Sequence, residues 1–336
     1  ANRIILISFV LAFLLLTTLE TSFNMPVVVS SGIIRVPDDY PTIQKAVDAA
    51  SPGDTILVAA GIYYENVFVN KSLTLVGEDK STTVIDANKT GPVVSIRADY
   101  VKVCGFTIQN GHYEGIFLHN STNNIITNNI LVNNGDGVSL RNSGNNTITK
   151  NTVLNNWYSI EIFCDGPWFT SRSSHNYIAL NYITGKWNGI SIIGSTLNNV
   201  VTSNDIINHE RYGIEVLSSN NTIIKGNNVV ENGWGGIHFG FSYHNKIYHN
   251  NIINNTPQVS FTVDTQLNIT WDDGYPSGGN YWSDYISEDT DHDGIGDTPY
   301  IIDAYNRDRY PLISPWPSIL GDVNRDGKVN YIDVVL

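Results

Sequence analysis

The sequence predicts an all-β chain folded as a right-handed parallel β-helix, a solenoid with an N-terminal capping helix and a small C-terminal region. Two periodic markers predict it. A Gly or Ser followed by an aliphatic residue recurs at Gly115-Ile116, Gly137-Val138, Ser159-Ile160, Gly189-Ile190, Gly213-Ile214 and Gly236-Ile237. An Asn recurs at Asn129, Asn151, Asn181, Asn204, Asn227 and Asn250. By subtraction, the first series steps by 22, 22, 30, 24 and 23 residues, and the second by 22, 30, 23, 23 and 23. Both contain one 30-residue step, so one coil carries an insertion. A fixed period of this length is the signature of a solenoid.

Each marker opens an alternating pair: Ile116/Leu118, Val138/Leu140, Ile160/Ile162, Ile190/Ile192, Ile214/Val216 and Ile237/Phe239. Period-two alternation of aliphatic residues reads as a strand with one buried face. A further alternating stretch precedes each ladder Asn, as in Asn146-Thr147-Ile148, Asn176-Tyr177-Ile178 and Asn245-Lys246-Ile247. Asn- and Ser-rich clusters between strands supply turn chemistry. Helical periodicity is missing from this region. The period suits three short strands and three turns, stacked about 4.8 Å apart in parallel sheets. The recurring Asn then reads as a structural ladder, each amide bonding its copy in the next coil.

The elements before the repeats follow in order. Arg3 precedes the apolar run Ile4 to Leu16, broken only by Ser8. This run is too short for a comfortable membrane span and fits a signal-peptide core. Residues 1–31 are therefore expected to be a signal peptide, or an N-terminal anchor. Cleavage is expected near Thr21-Ser22 or Ser30-Ser31. Thr42 caps an expected helix whose stripe is Ile43, Ala46, Val47 and Ala50, ended by Ser51-Pro52-Gly53-Asp54. That helix would plug the first coil. Strands are expected at Thr55–Val58, Asn66–Val69, Leu73–Val76 and Val84–Asp86. The β-helix is assigned to residues 33–270.

Composition narrows the function. Net charge is −13, with 19 Lys and Arg, so nucleic acid is not an expected partner. Two cysteines, Cys104 and Cys164, exclude a disulfide framework. Seven Asn-x-Ser/Thr sites, at Asn70, Asn88, Asn120, Asn145, Asn220, Asn254 and Asn268, agree with an exported, glycosylated exterior.

The stretch from Val36 to Asp79, VPDDYPTIQKAVDAASPGDTILVAAGIYYENVFVNKSLTLVGED, resembles the opening motif of pectin-methylesterase-like and NosD-type β-helix proteins. The Asn-x-Ile-x-x-Asn coils from Gly105 to Asn255 resemble NosD-type repeats, also grouped as carbohydrate-binding and sugar-hydrolase domains. The resemblance implies the fold but leaves the activity open, because this scaffold hosts many functions. The Gly-x-x-Asp-Phe-Ile-Phe-Gly signature of pectin methylesterases is absent, as is the polygalacturonase pairing of Asn-Thr-Asp with Arg-Ile-Lys.

Residues 271–318 read as a Gly-, Trp- and Asp-rich cap carrying a calcium-type loop. In Asp289-x-Asp291-x-Asp293-Gly294-x-Gly296-Asp297, alternate carboxylates precede a glycine, as in loops that wrap oxygens around calcium. Residues 319–336 carry Asp322, Asn324, Asp326, Gly327, Lys328 and Asp333 at EF-hand positions 1, 3, 5, 6, 7 and 12. They resemble the first calcium repeat of a type I dockerin, with Asp in place of Glu at position 12. That resemblance implies docking onto a cohesin. A dockerin has two such repeats, and here the second is not seen. The expected cofactor is structural calcium. A copper-delivery role, suggested by the NosD name alone, is not expected: soft-metal sites want clustered Cys, Met and His, and the eight His are scattered.

Outward positions of the marker strand supply the site candidates. Two residues before the marker stand Tyr113, Gly135, Trp157, Trp187, Arg211 and Trp234, and one before stand Glu114, Asp136, Tyr158, Asn188, Tyr212 and Gly235. After the inward aliphatic come Phe117, Ser139, Glu161, Ser191, Glu215 and His238. Aromatics repeating along a solenoid can stack on the apolar faces of a linear glycan. Tyr113, Asp136, Trp157, Trp187, Arg211, Trp234 and His238 are the expected substrate-binding residues. Glu161 and Glu215 are the candidate acid or base. Their two-coil separation, about 10 Å at the backbone, allows side chains to reach the inverting range. The long coil adds Cys164-Asp165-Gly166-Pro167-Trp168-Phe169 and Arg172 beside this face.

The leading expectation is a secreted or cell-surface protein that binds extracellular polysaccharide. Two alternatives stand beside it: a polysaccharide lyase or glycoside hydrolase delivered by its dockerin, and a structural surface rod.

Overall fold

The computed structural model describes residues 31–165, 173–262 and 267–316. Among these, three parallel sheets of ten, nine and ten strands run along the solenoid. The markers lie in the nine-stranded sheet, here called the marker sheet. Its six longest strands are Glu114–His119, Asp136–Arg141, Tyr158–Phe163, Asn188–Ile193, Tyr212–Leu217 and Gly235–Gly240. Ile116, Val138, Ile160, Ile190, Ile214 and Ile237 stand in one register column. All six are fully buried. Each such aliphatic contributes about 1.5–3 kcal/mol on leaving water, so the repeated column is a continuous core.

The marker glycine is the second residue of its strand, pressed against the next coil. A Cβ on Gly137 would lie 2.4 Å from the Ser159 carbonyl oxygen, and one on Gly189 2.5 Å from that of Gly213. Backbone there leaves no room for a side chain. Ser159 is the exception, and its surroundings explain it. Its hydroxyl lies 3.5 Å from the buried His209 Nε2, across Gly185. The Ser159 hydroxyl thus fills space that Gly185 leaves open.

Coil corners explain the demand for Asn. In Asn123-Asn124, Asn128-Asn129, Asn133-Asn134, Asn145-Asn146, Asn155-Asn156 and Asn198-Asn199, the first residue has φ between 52° and 60°. Asn tolerates this left-handed conformation better than most residues. The second residue is buried in a ladder. From Asn129 to Asn250, each ladder amide oxygen accepts the backbone N–H of the Asn one coil before, at 3.0–3.1 Å. The expected ladder extends to Asn280. Two further ladders accompany it. One holds Asn124, Asn146, Asn176 and Asn199. The other holds Asn134 and Asn156, then His209, Asn232 and Asn255. In that slot His209 Nδ1 lies 3.0 Å from Asn232 Oδ1, and burial pushes its pKa down to about 4.

Both ends are closed. The capping helix spans Ile43–Ala49, with the Thr42 hydroxyl accepting from the Lys45 N–H. Ile43, Ala46 and Val47 face the first coil, and the Glu65 carboxylate accepts from the Ile43 and Gln44 N–H groups at 2.9 Å. Strands form at Thr55–Val58, Val67–Val69, Thr74–Gly77 and Thr83–Asp86, near the expected positions, with a further one at Gly61–Tyr64. At the far end Trp271 and Trp282 are buried in the core. Their indole N–H groups donate to Asn306 and Asp308. These residues belong to a segment whose Tyr300–Ile301 and Arg307–Asp308 strands pair antiparallel.

Candidate functional site

Strand register sets the outer face of the marker sheet in columns. One runs Glu114, Asp136, Tyr158, Asn188; the next runs Phe117, Ser139, Glu161, Ser191, Glu215, His238, Ser260. A third begins His119, Arg141, Phe163. The first two are outward columns read from the sequence; the third is not. Backbone bonds from Trp157 to Gly135, Trp187 to Trp157, Arg211 to Trp187 and Trp234 to Arg211 keep the aromatic column at one edge in step.

That edge is a mixed stack. The Arg211 guanidinium lies between two indoles, 4.2 Å from the Trp187 centroid and 4.3 Å from that of Trp234. Trp157 meets Trp187 edge-on at 5.1 Å, and Lys186 lies 5.4 Å from the Trp157 centroid. Cation–π attraction of this kind is worth about 0.5–2 kcal/mol, so the stack orders its own long side chains. Trp157 and Trp234 remain about half exposed. Tyr113 is exposed at the start of the column and packs on His112 instead.

Carboxylates fill the middle of the face. Burial raises the pKa of Glu114, Glu161 and Glu215, with Arg141 or Arg211 opposing. Asp136 is the extreme case: burial, then repulsion from Glu161 and Glu114, pushes it up to about 8. Burial raises Glu161 as well, so the two carboxyls share a setting shielded from water, with Asp136 raised to about 8. Glu215 is held differently, accepting from Asn188 Nδ2 at 2.8 Å and from the Ser191 hydroxyl at 3.2 Å. Ser191 separates it from Glu161 in the column. The sequence reading placed Asp136 among the sugar contacts; its distinguishing feature, the charged neighbours on adjacent strands, is not visible along one strand.

His238 stacks on Tyr212 at 4.2 Å, and its two ring nitrogens lie 2.7 Å from Ser260 Oγ and 2.9 Å from Thr262 Oγ1. Both nitrogens are thus engaged within the protein. On the opposite edge Arg141 pairs with Asp165 at 3.3 Å, at the start of the long-coil insertion. Residues 166–172 lie outside the described residues.

In the C-terminal segment Asp289, Asp291 and Asp297 converge, with one oxygen of each within 4.8 Å of the others. Asp293 does not join them. Its carboxylate accepts from the Ile295 N–H at 2.8 Å and bonds Tyr275. Asp322, Asn324, Asp326, Lys328 and Asp333 lie outside the described residues, as does the N-terminal apolar run.

A family model described as periplasmic copper-binding protein (NosD) matches residues 47–166 and 164–287. The chain belongs to the NosD family. A cell surface glycoprotein of Methanothermus fervidus is 37% identical over 97 residues, covering 28% of this chain and 16% of the relative. The chain therefore matches only a small part of that longer protein. The crystal structure of pectate lyase Pel9A superposes with a TM-score of 0.51 at 15% identity, over 74% of this chain and 78% of the other. An alginate lyase from Paenibacillus sp. str. FPU-7 gives a TM-score of 0.47 at 17% identity, over 71% of this chain and 94% of the other. At 15% identity the likeness to the pectate lyase establishes the parallel β-helix alone.

The family description raises copper. Among the described residues, the one group of three or more His, Cys, Asp or Glu side chains close enough to share an ion is Asp289, Asp291 and Asp297. Its donors are hard oxygens, which suit calcium or magnesium better than copper. His249 is drawn into other contacts: its ring stacks on Trp316 at 3.5 Å and its Nε2 lies 2.7 Å from the Ser277 carbonyl. The described residues therefore do not fit a copper centre.

Proposed function

We propose that this NosD-family protein is an exported or cell-surface β-helix that binds extracellular polysaccharide along its marker-sheet face. The observation that carries this reading is the Trp157–Trp187–Arg211–Trp234 stack, in register with the coils and open to solvent at both Trp157 and Trp234. Coils repeat about every 4.8 Å, a spacing comparable to one sugar unit, so a linear glycan laid along the axis meets a ring or a cation in coil after coil. Hydroxyl partners stand beside it in Tyr158, Glu161 and Glu215, which are each partly exposed. Surface location is supported by the apolar N-terminal run and by the sequons. Six of the seven sequon asparagines are exposed and Asn220 is half-buried, whereas the ladder asparagines are buried. The name of the matched relative, cell surface glycoprotein, points the same way.

Affinity electrophoresis of the purified chain in gels carrying single polysaccharides tests the reading. Retardation by at least one glycan, relieved in Trp157→Ala with Trp187→Ala, supports it. Mobility unaffected by every polymer sinks it, and leaves a structural surface rod.

A second reading, cleavage of the bound glycan, is favoured by Asp136, whose carboxyl is pushed up to about 8 by burial and then by the Glu161 and Glu114 charges. In it Asp136 donates the proton to the leaving oxygen and Glu161 takes one up, a division that requires unlike carboxyls. Glu215, the other candidate from the sequence, serves as a hydrogen-bonding group. Release of reducing ends, lost in Asp136→Asn and in Glu161→Gln while binding persists, is the expected result. Calcium completes the reading as a structural ion held by Asp289, Asp291 and Asp297, tying the loop that covers the C-terminal end.

A further inference from the structure

Beyond the aromatic stack, on the side away from the carboxylates, a groove follows the corner that leads into the marker sheet. Two cavities, of about 520 and 600 Å³, lie end to end along it and share Asn155 and Lys186. Each falls in the range of small-ligand clefts, about 300–1,000 Å³. Their charges differ. The first is lined by Lys89, His112 and Lys186 and by no carboxylate. The second carries Glu210 and Glu231. In a chain of net charge −13, a groove half with two lysines and no acid is a local reversal of sign.

The lysines are not consumed by internal ion pairs. Three salt bridges occur among the described residues, and none involves Lys89 or Lys186. Asp86, which Lys89 influences electrostatically, is buried and accepts from the Asn88 N–H and from the Gln109 and Asn110 side chains. Lys89 Nζ donates to the Asn133 carbonyl at 2.7 Å, which holds the ammonium at the groove wall. Trp157 supplies an apolar wall, and Asn133 and Asn155, linked to each other through their side chains, supply amide groups.

We infer that this groove half seats an anionic sugar unit, one bearing a carboxylate or a sulfate. The anion meets the Lys89 and Lys186 ammonium groups, the ring lies against Trp157, and hydroxyls meet Asn133 and Asn155. Glu210 and Glu231 repel the same unit from the other half, so the site has a direction along the axis. The inference rests on the polysaccharide-binding reading and names its substrate class.

The experiment compares four polymers on the full chain by affinity electrophoresis at low and high salt: polygalacturonate, its methyl ester, a sulfated galactan and a neutral galactan. The expected result is at least tenfold tighter binding of polygalacturonate or of the sulfated galactan than of its neutral counterpart, with the preference fading at high salt. Lys89→Ala with Lys186→Ala should abolish the preference, and Lys89→Ala alone, which leaves the aromatic stack intact, should weaken it and spare neutral binding and the thermal midpoint. The uronate and sulfate arms identify which anion is preferred. Equal affinity for charged and neutral polymers, or a preference intact in the double variant, overturns the anionic site and leaves polysaccharide binding standing. Binding to none of the four overturns the anionic site, and polysaccharide binding falls with it only if every other polymer is also silent.

Discussion

The Arg211 guanidinium lies 4.2 Å from the centroid of the Trp187 ring. These residues occupy equivalent positions in adjacent coils, so the contact is a product of the repeat. It ties a cation to the aromatic edge of the proposed binding face, and its mirror contact with Trp234 fixes the plane of the guanidinium.

Removing the centre of that stack tests its role. Trp187→Ala should weaken glycan binding by about 1–2 kcal/mol, the scale of an aromatic or cation–π contact. Arg211→Ala should follow with a smaller loss, because the flanking rings remain. Glu210→Ala, next in sequence but outside the stack, should leave neutral-glycan affinity unchanged. Affinity electrophoresis ranks the three, and a loss in Glu210→Ala equal to that in Trp187→Ala would remove the stack from the argument.

Asp136 makes stability depend on pH with a definite sign. Its carboxyl titrates at about 8 in the folded chain against an ordinary 3.8. The folded state therefore holds the proton more tightly than the unfolded one. The stability gained is full below about pH 4 and is lost as pH rises through about 8. Asp136→Asn cannot ionise, so its thermal midpoint should fall less between pH 6 and pH 9 than that of the parent. Parallel midpoint curves for the two proteins would contradict the assignment. Asp205 and Asp308, pushed up to about 6 by burial, act in the same direction over a lower window.

The ladder should dominate local stability. Asn204 Oδ1 accepts the Asn181 N–H, and Asn204 Nδ2 lies within bonding distance of Ile178 and Thr202 carbonyls and of Asn227 Oδ1. Asn204→Ala strands these buried partners, at about 1–3 kcal/mol for each group left unsatisfied. Urea denaturation should show that loss, whereas Asn70→Ala, at an exposed sequon outside the left-handed corners, should stay within about 0.5 kcal/mol.

Calcium should raise the thermal midpoint and a chelator should lower it. An ion present at 100 times its dissociation constant stabilises the folded chain by about 2.7 kcal/mol. Asp289→Ala and Asp297→Ala should each diminish the calcium-dependent rise. Asp293→Ala should retain it, because that carboxylate faces Ile295 and Tyr275. Differential scanning calorimetry with and without calcium distinguishes the three. An equal effect from Asp293→Ala would mean that the loop rearranges around the ion.

Much of the fold was legible in the chain itself. A solenoid repeats one local problem, so its solution repeats in the sequence. Ile116 through Ile237 announce the core column, Asn129 through Asn250 the ladder, and Thr42 the helix start. Two accompanying ladders were less visible because Asn-Asn pairs merge two roles, a left-handed corner and a buried rung, that separate only in three dimensions. The outward columns were also legible, since register follows from the period.

What the sequence alone determined was therefore everything that depends on periodicity: the parallel β-helix, its inward and outward faces, and the position of the long coil. Tertiary structure decided what depends on contacts between coils. The marker is Gly because the next coil's carbonyl stands within 2.4–2.7 Å of any Cβ at Gly115, Gly137, Gly189 or Gly213. Ser159, which stands where other coils have Gly, lies 3.5 Å from His209, which stands where its ladder has Asn. Burial, and after it the charges of Glu161 and Glu114 from neighbouring coils, push the Asp136 carboxyl up to about 8. Proximity across strands and loss of solvent set these properties, and neither is encoded at a single position.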